Sequence, residues 1–116
     1  MTAEAGVGGA TEAPDRMAEN AARAADFLKS LGHEGRLMIL CHLSTGEKSV
    51  GQLEDLLGAR QAAVSQQLAR LRLEGMVASR RDGKTVLYRL ADERSRRMIG
   101  LLYELFCEGG AGRAMP

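Results

Sequence analysis

Residues 61–90 read QAAVSQQLARLRLEGMVASRRDGKTVLYRL, and this stretch decides the fold. Its first half places Val64, Leu68 and Leu71 within one arc of a helix that turns by about 100° per residue. Gly75 provides a stop for that helix. The first half therefore predicts an amphipathic helix that packs one face on a core and presents the other face to solvent.

The second half of the stretch predicts a β-hairpin. Two strand-like runs flank the dipeptide Asp82-Gly83. The second run alternates one set of residues with another: Val86, Tyr88 and Leu90 with Thr85, Leu87 and Arg89. Asp-Gly is a favoured two-residue hairpin turn because both of its positions need a positive φ. We therefore predict that a hairpin follows directly after the helix.

A shorter helix is predicted just before residue 61. Ser49 and Gln52 have the spacing of a capping box at the start of SVGQLEDLLG (residues 49–58), and Gly58 is a natural residue to follow a helix. Only a few residues separate this helix from the next, which is the spacing of a helix-turn-helix. With the hairpin as a wing, the pattern is typical of a winged helix-turn-helix.

The predicted solvent face of the longer helix carries side chains suited to DNA. Ser65 and Gln66 are short hydroxyl and amide groups that read base edges, whereas Arg70 and Arg72 further along hold phosphates. The hairpin carries Arg80, Arg81 and Lys84, which we interpret as contacts with the phosphates of the flanking DNA backbone. An ordinary surface helix and an ordinary surface hairpin are the alternative interpretations.

The distribution of charge supports the same interpretation. Residues 1–57 hold five basic and nine acidic side chains, whereas residues 58–97 hold ten basic and four acidic ones, although the whole chain has a net charge of only +1. A contiguous positive segment is what a phosphate-facing surface requires. A solvated helical face remains the alternative on charge alone.

Helices are also predicted on either side of this core. A first helix has a narrow apolar seam that includes Met17, Ala21 and Leu28, a second covers about residues 33–45, and Asp92 caps a last helix that runs to about Cys107. The apolar arc of the last helix is too broad for a single core contact. We therefore predict a homodimer whose interface is formed by the first and last helices through Met17, Ala21, Leu28, Ile99, Tyr103 and Phe106.

Together these patterns predict one mainly α domain with a small β-hairpin wing, in the order α-α-α-α-β-β-α. The domain is expected over residues 16–108, between a disordered N-terminal tail (residues 1–15) and a disordered C-terminal tail (residues 109–116). No apolar run approaches the roughly 20 residues of a membrane span, and the N-terminus lacks the pattern of a secretory signal. A cytoplasmic protein is the expectation.

The motifs LGHEGRLMILCHL, VGQLEDLL, QAAVSQQLARLRLEGMV and RDGKTVLYRL resemble the ArsR superfamily of winged-helix repressors over about residues 17–108. The resemblance implies a homodimeric repressor that leaves its operator, a double-stranded DNA site, when an inducer binds. It also implies that Gln61, Ser65 and Gln66 occupy the base-reading positions of the family.

The usual inducers of that superfamily are metals, and here the sequence departs from the family pattern. Metal-sensing members carry a Cys-x-Cys pair before the recognition helix or Asp, His and Glu ligands on the last helix. This chain has GQLEDLL at the first place and no histidine in the last helix. A metal would have to recruit Cys41, Cys107 and one of His33 and His42. No metal site or cofactor is expected, and a metal-responsive repressor is the alternative.

The two cysteines resemble those of the persulfide-sensing branch of the superfamily, the SqrR and BigR type. In that branch the two thiols face each other within a subunit and become bridged through extra sulfur atoms when reactive sulfur species accumulate. The resemblance implies that Cys41 and Cys107 form such a switch and that a persulfide is the inducer. From the residues alone, Cys41 is more simply a small buried apolar side chain.

The sequence leaves two other classes of protein as alternatives. A small thiol enzyme needs a thiol activated by a base or a helix N-terminus, yet Cys41 is predicted to lie in mid-helix and Cys107 at a helix C-terminus, where the dipole opposes a thiolate. We therefore do not expect an enzyme. A winged helix used only for protein contacts would show no salt-dependent affinity for DNA.

Overall fold

The computed structural model describes the backbone of residues 4–107 and the side chains of residues 14–107. The expected C-terminal tail (residues 109–116) lies outside this range. The chain divides into two compact units after Gly32.

The first unit is a single helix, α1 (Glu4–Leu31). Gly32 follows it, and its N–H donates to the carbonyl of Leu28 at 2.8 Å, so the predicted stop is confirmed. The helix begins at Glu4 and includes Pro14, whereas the sequence placed its start near residue 16. The disorder expected for residues 1–15 in solution stays a prediction.

The second unit contains the winged helix-turn-helix, and the predicted fold class is confirmed. Its elements are α2 (Glu34–Leu43), β1 (Lys48–Ser49), α3 (Val50–Leu57), α4 (Gln61–Leu73), β2 (Val77–Asp82), β3 (Thr85–Leu90) and α5 (Glu93–Phe106). The sequence analysis missed β1, because two residues are too short to show the alternation that identifies a strand.

The core of this unit draws on every helix and on both long strands. Its buried apolar side chains are Ile39, Leu40, Leu43, Leu53, Val64, Leu68, Leu71, Met76, Val77, Leu90 and Ile99. Full burial of one such side chain contributes about 1.5–3 kcal/mol to the free energy of unfolding. The apolar face predicted for α4 is confirmed, because Val64, Leu68 and Leu71 all lie in this core.

Ile99 corrects one interface assignment. It is 1% exposed within the single chain, since it faces inward from α5. Ile99 is therefore a core residue of the protomer and does not belong to its exposed apolar surface.

The predicted helix signals at α3 and α5 are present. The Ser49 hydroxyl accepts from the N–H of Gln52 at 3.1 Å, and the Gln52 side chain accepts from the N–H of Ser49 at 2.8 Å. Gly58 follows α3 with φ 64°, in the left-handed region. At α5 the carboxylate of Asp92 accepts from the N–H of Arg94 at 2.9 Å. These caps fix where the two helices begin.

The three strands form one antiparallel sheet in the order β1-β3-β2. Asp82 pairs with Thr85, so the two turn residues are Gly83 and Lys84 rather than the predicted Asp82-Gly83. Gly83 has φ 67° and is the first turn residue. A two-residue turn with Gly at its first position is favoured in hairpins, which explains the shift by one residue.

Among the described residues, no helix is both long enough and apolar enough to cross a lipid bilayer.

Candidate nucleic-acid interface and thiol pair

The exposed face of α4 is positioned by the core beneath it. α4 packs against α2, α3 and β2, and the burial of Val64, Leu68 and Leu71 fixes the rotation of the helix about its axis. At about 100° per residue, Gln66 then points almost directly away from the core. Ser65 lies on the flank of this exposed face, and Gln61 lies one turn before it, next to the buried arc. All three predicted base-reading side chains are exposed.

Arg70 lies on the same exposed face, one turn after Gln66. Its Nε donates to the carboxylate of Glu74 at 3.0 Å, a pair between residues four apart on the helix. Both side chains are solvent-accessible, and exposed pairs of this kind contribute little to stability. Arg70 can therefore exchange Glu74 for a phosphate oxygen at small cost.

The wing does not gather its basic side chains into one cluster. Arg80 and Arg81 are consecutive residues of β2, so their side chains leave opposite faces of the hairpin. Lys84 occupies the second turn position and is exposed. The three residues were predicted to contact the DNA backbone together, whereas the structure places Arg80 and Arg81 on opposite faces of the sheet.

Arg80 forms a bidentate ion pair with Glu47. Its Nε lies 2.8 Å from Oε2 of Glu47, and its Nη2 lies 2.7 Å from Oε1. The hydrogen bond to Arg80 lowers the pKa of Glu47 below its ordinary value. Desolvation opposes this shift, whereas the positive charges of Arg80 and Arg89 act in the same direction as the hydrogen bond. Sequence reasoning missed Glu47, because the two partners are 33 residues apart and no local pattern joins them.

The two cysteines both lie in the second unit, on helices that contact each other. Cys41 is half-buried in α2, and Cys107 is the exposed residue that ends α5. Both are free thiols. Burial raises the pKa of the Cys41 thiol, and repulsion by a charge on Cys107 raises that pKa further. The structure therefore places the two thiols on packed elements of the same unit.

The last turn of α2 is held next to Cys41 by local hydrogen bonds. The Ser44 hydroxyl donates to the carbonyl of Cys41 at 2.6 Å, and the Thr45 hydroxyl donates to the carbonyl of His42 at 2.8 Å. Lys48 donates from Nζ to the Thr45 hydroxyl at 3.0 Å. These bonds hold the backbone that leads from Cys41 to β1.

Within residues 14–107, no group of three or more His, Cys, Asp and Glu side chains is placed to hold a metal ion.

α5 exposes a large apolar surface near its C-terminus. Tyr103 is 37% exposed and Phe106 is 71% exposed, and Leu101 and Leu105 are also accessible. In the first unit, Met17 and Leu28 of α1 are both more than half exposed, and Ala21 is exposed. Apart from Ile99, the predicted interface residues are therefore on the protein surface.

Comparison with known proteins identifies close relatives. A family model described as "Bacterial regulatory protein, arsR family" matches residues 33–79. The biofilm growth-associated repressor of Agrobacterium fabrum is 47% identical over 91 residues, which cover 78% of each protein. The transcriptional activator HlyU of Vibrio cholerae is 44% identical over 92 residues, covering 79% of this chain and 85% of the activator.

Solved structures show the same fold. The crystal structure of the transcriptional repressor BigR from Xylella fastidiosa matches with a TM-score of 0.77 and 41% identity, covering 83% of this chain and 98% of BigR. A homodimeric winged helix-turn-helix DNA-binding domain from Mycobacterium bovis matches with a TM-score of 0.67 and 32% identity, over 78% of this chain and 83% of that domain. These relatives are transcription regulators and not enzymes.

Proposed function

Because the chain belongs to the arsR family of bacterial regulatory proteins, we propose that this DNA-binding transcriptional regulator is a repressor whose operator affinity is switched off by persulfides acting on Cys41 and Cys107. The observation that carries the proposal is the packing of α2, which contains Cys41, against α5, which Cys107 directly follows, so that two free thiols far apart in sequence lie on contacting elements. Such a regulator works in the cytoplasm, where its operator lies.

The chemistry needs only the two thiols and a persulfide, RSSH. A cysteine thiolate attacks the outer sulfur of RSSH, and RS⁻ leaves, so that the cysteine becomes a persulfide. When both cysteines have reacted, the outer sulfur of one protein persulfide attacks the Sγ atom of the other cysteine and displaces hydrogen sulfide from it. Overall, two protein thiols and 2 RSSH give a trisulfide bridge, 2 RSH and H₂S, with no further oxidant. Thiols reverse the reaction by the same exchange.

The accessibility of the two thiols assigns an order to these steps. Cys107 is exposed, whereas Cys41 is half-buried and its raised pKa lowers its thiolate fraction at neutral pH. Cys107 therefore reacts first with the incoming persulfide, and Cys41 follows. The half-buried position of Cys41 keeps it close to its partner and away from bulk oxidants.

In the DNA-bound state, α4 enters the major groove and the wing contacts the backbone beside it. Gln61, Ser65 and Gln66 contact base edges, because all three side chains are exposed on the DNA-reading helix α4. The basic side chains Arg70, Arg80, Arg81 and Lys84 contact phosphates. A homodimer that uses the exposed apolar faces of α1 and α5 presents two such modules to two half-sites.

A bridge between Cys41 and Cys107 couples the chemistry to DNA binding. α2 packs against α3 and α4, whereas α5 carries the proposed dimer surface. A covalent link between α2 and α5 therefore constrains how the two DNA-reading modules are spaced. A bias of about 3 kcal/mol between the two arrangements lowers operator affinity more than a hundredfold.

Intact mass spectrometry tests the sulfur chemistry. Reduced protein is treated with an organic persulfide, and an alkylating agent then counts the remaining thiols. We expect both thiols to be lost and the mass to increase by added sulfur, with full reversal by dithiothreitol. Hydrogen peroxide serves as the control oxidant and adds no sulfur. Persulfide-treated protein that keeps both thiols, or that loses them without a gain of sulfur, contradicts the proposal.

A further inference from the structure

The ion pair between Arg80 and Glu47 occupies only one edge of the guanidinium group. Nε donates to both carboxylate oxygens, at 2.8 Å and 3.1 Å, and Nη2 donates one N–H to Oε1 at 2.7 Å. The N–H groups of Nη1 and the second N–H of Nη2 lie on the other edge and remain for a further acceptor. An arginine held in this way can bind an anion while it stays paired.

The strand register places this pair on one face of the wing. Arg80 lies opposite Leu87, and Arg89 lies opposite Ala78. Because opposite residues and alternate residues share a face, Arg80, Leu87 and Arg89 lie on the same side of the sheet. Ser49 of β1 also pairs with Leu87, and Glu47 directly precedes β1. Arg80 therefore reaches across β3 to Glu47.

Two acids and two arginines share this face. Arg89 acts on the carboxylate of Glu47, and Asp82, two residues after Arg80 in β2, lies on the same face and acts on Arg80. The Arg80 side chain is about half exposed and that of Glu47 is 29% exposed. An exposed pair of this kind adds little to the stability of the fold, but a bidentate pair fixes the direction of a long and otherwise mobile side chain.

We propose that Glu47 is a positioning residue for DNA binding, which holds Arg80 across β3 so that the free edge of its guanidinium meets a backbone phosphate. The conformational entropy of the Arg80 side chain is then lost when the protein folds rather than when it binds DNA. The inference rests on the proposed DNA-binding surface and adds an acidic residue to it. The opposite possibility is that Glu47 competes with phosphate for Arg80. Positioning predicts that loss of the Glu47 carboxylate weakens DNA binding, whereas competition predicts that it strengthens DNA binding.

Equilibrium DNA binding by fluorescence anisotropy over a range of salt concentrations separates these possibilities. The probe is a labelled duplex carrying an operator selected from random sequence with the reduced wild-type protein. The variants are Glu47→Gln, Glu47→Asp, Arg80→Ala and the double variant Glu47→Gln/Arg80→Ala. Glu93→Gln is the matched control, because it removes a carboxylate from another exposed pair, with Arg96 at 3.7 Å.

Positioning predicts that Glu47→Gln lowers affinity by about three- to tenfold, although it removes a negative charge that repels DNA. Glu47→Asp should also lower affinity, since it keeps the charge but shortens the reach. In the Arg80→Ala background, Glu47→Gln should cause no further loss of affinity. Glu47→Gln and Arg80→Ala should each reduce the dependence of affinity on salt by about one phosphate contact. Glu93→Gln should bind as the wild type does.

A rise in affinity for Glu47→Gln, or an equal loss in the Arg80→Ala background, overturns the positioning role. A fall in the unfolding midpoint that tracks the loss of affinity across the variants also overturns it, because the effect would then be structural. Failure of the wild-type protein to bind any duplex overturns the DNA-binding surface itself, and this role with it. If the wild-type protein binds the duplex but the Glu47 variants do not lose affinity as expected, only the positioning role of Glu47 is refuted, and the DNA-binding surface stands.

Discussion

Cys41 combines two properties that oppose each other at the scale of a single residue. Its half-buried site on α2 holds the thiol in a defined place, and the same burial raises its pKa and so lowers its reactivity at neutral pH. Repulsion from a charged Cys107 adds to this effect. A thiol of this kind reacts with small electrophiles in solution more slowly than an exposed thiol of ordinary pKa does, because less of it is thiolate at neutral pH.

The first prediction concerns the titration of Cys41. Its alkylation rate should rise with pH into a more alkaline range than that of an ordinary thiol, because only the thiolate reacts. Cys107→Ser removes the repulsive charge and should shift this profile toward lower pH, although burial keeps it above that of the unfolded chain. Site-resolved mass spectrometry of pulse-alkylated protein measures both rates. An unchanged profile in Cys107→Ser would mean that the two thiols do not interact.

The second prediction concerns base reading by α4. Gln66→Ala should reduce discrimination between operator and mismatched duplexes by about 1–3 kcal/mol, because Gln66 points most directly away from the core. Arg81→Ala should instead weaken binding to all sequences and flatten the salt slope. Competition binding with operator and random duplexes separates the two effects. Unaltered discrimination in Gln66→Ala and Ser65→Ala together would remove the base-reading role from this face.

Among the elements, the wing shows that a shift of one residue in strand register changes which residues form the turn. The pairing of Asp82 with Thr85 places the positive φ on Gly83 as the first turn residue, and it makes Asp82 the last residue of β2. The same register sends Arg80 and Arg81 to opposite faces. The DNA-facing chemistry of the hairpin is therefore set by a two-residue turn.

The third prediction tests this turn. Gly83→Ala should destabilise the protein by about 1 kcal/mol, since a side chain at φ 67° is strained. Asp82→Ala should have a smaller effect, because Asp82 is an exposed strand residue. Urea unfolding of both variants gives the comparison. If Asp82→Ala were the more destabilising of the two, the observed register would be wrong.

Local signals in the sequence predicted most of the elements, and contacts between distant residues account for what was missed. The capping box at Ser49 and the cap at Asp92 identified helix starts because each involves residues two or three apart. β1 exists only because β3 pairs with it, and the Glu47–Arg80 pair joins segments that carry no shared pattern. The burial of Ile99 likewise depends on packing, which the helical periodicity of α5 could not separate from an exposed face.

At the scale of the whole molecule, the fourth prediction concerns the proposed dimer. Tyr103→Glu should produce monomers in analytical ultracentrifugation and weaken operator binding, because it places a charge in the exposed apolar surface of α5. Arg97→Glu, an exposed change on the same helix, is the control for charge and should leave the oligomeric state intact. A wild-type protein that sediments as a monomer at micromolar concentration would contradict the dimer.

In the proposed switch, DNA binding and sulfur chemistry are coupled through α2, which contains Cys41, and α5, which Cys107 directly follows. α2 packs against α3 and α4, and α5 carries the exposed apolar surface, so a bridge between Cys41 and Cys107 would join the proposed DNA-reading elements to the proposed dimer surface. Each thiol would be required for the bridge, whereas neither is among the residues proposed to contact DNA. Mutation of either cysteine should therefore abolish the response to persulfide without changing the affinity of the reduced protein for DNA.

The most direct measurement is operator affinity before and after persulfide treatment, in wild-type protein and in the variants Cys41→Ser and Cys107→Ser. Reduced proteins should all bind alike, and persulfide should lower wild-type affinity at least a hundredfold, corresponding to about 3 kcal/mol. Both single variants should keep their affinity after treatment. Release of the operator by either treated variant, or retention of the operator by the treated wild type, would contradict a two-cysteine switch.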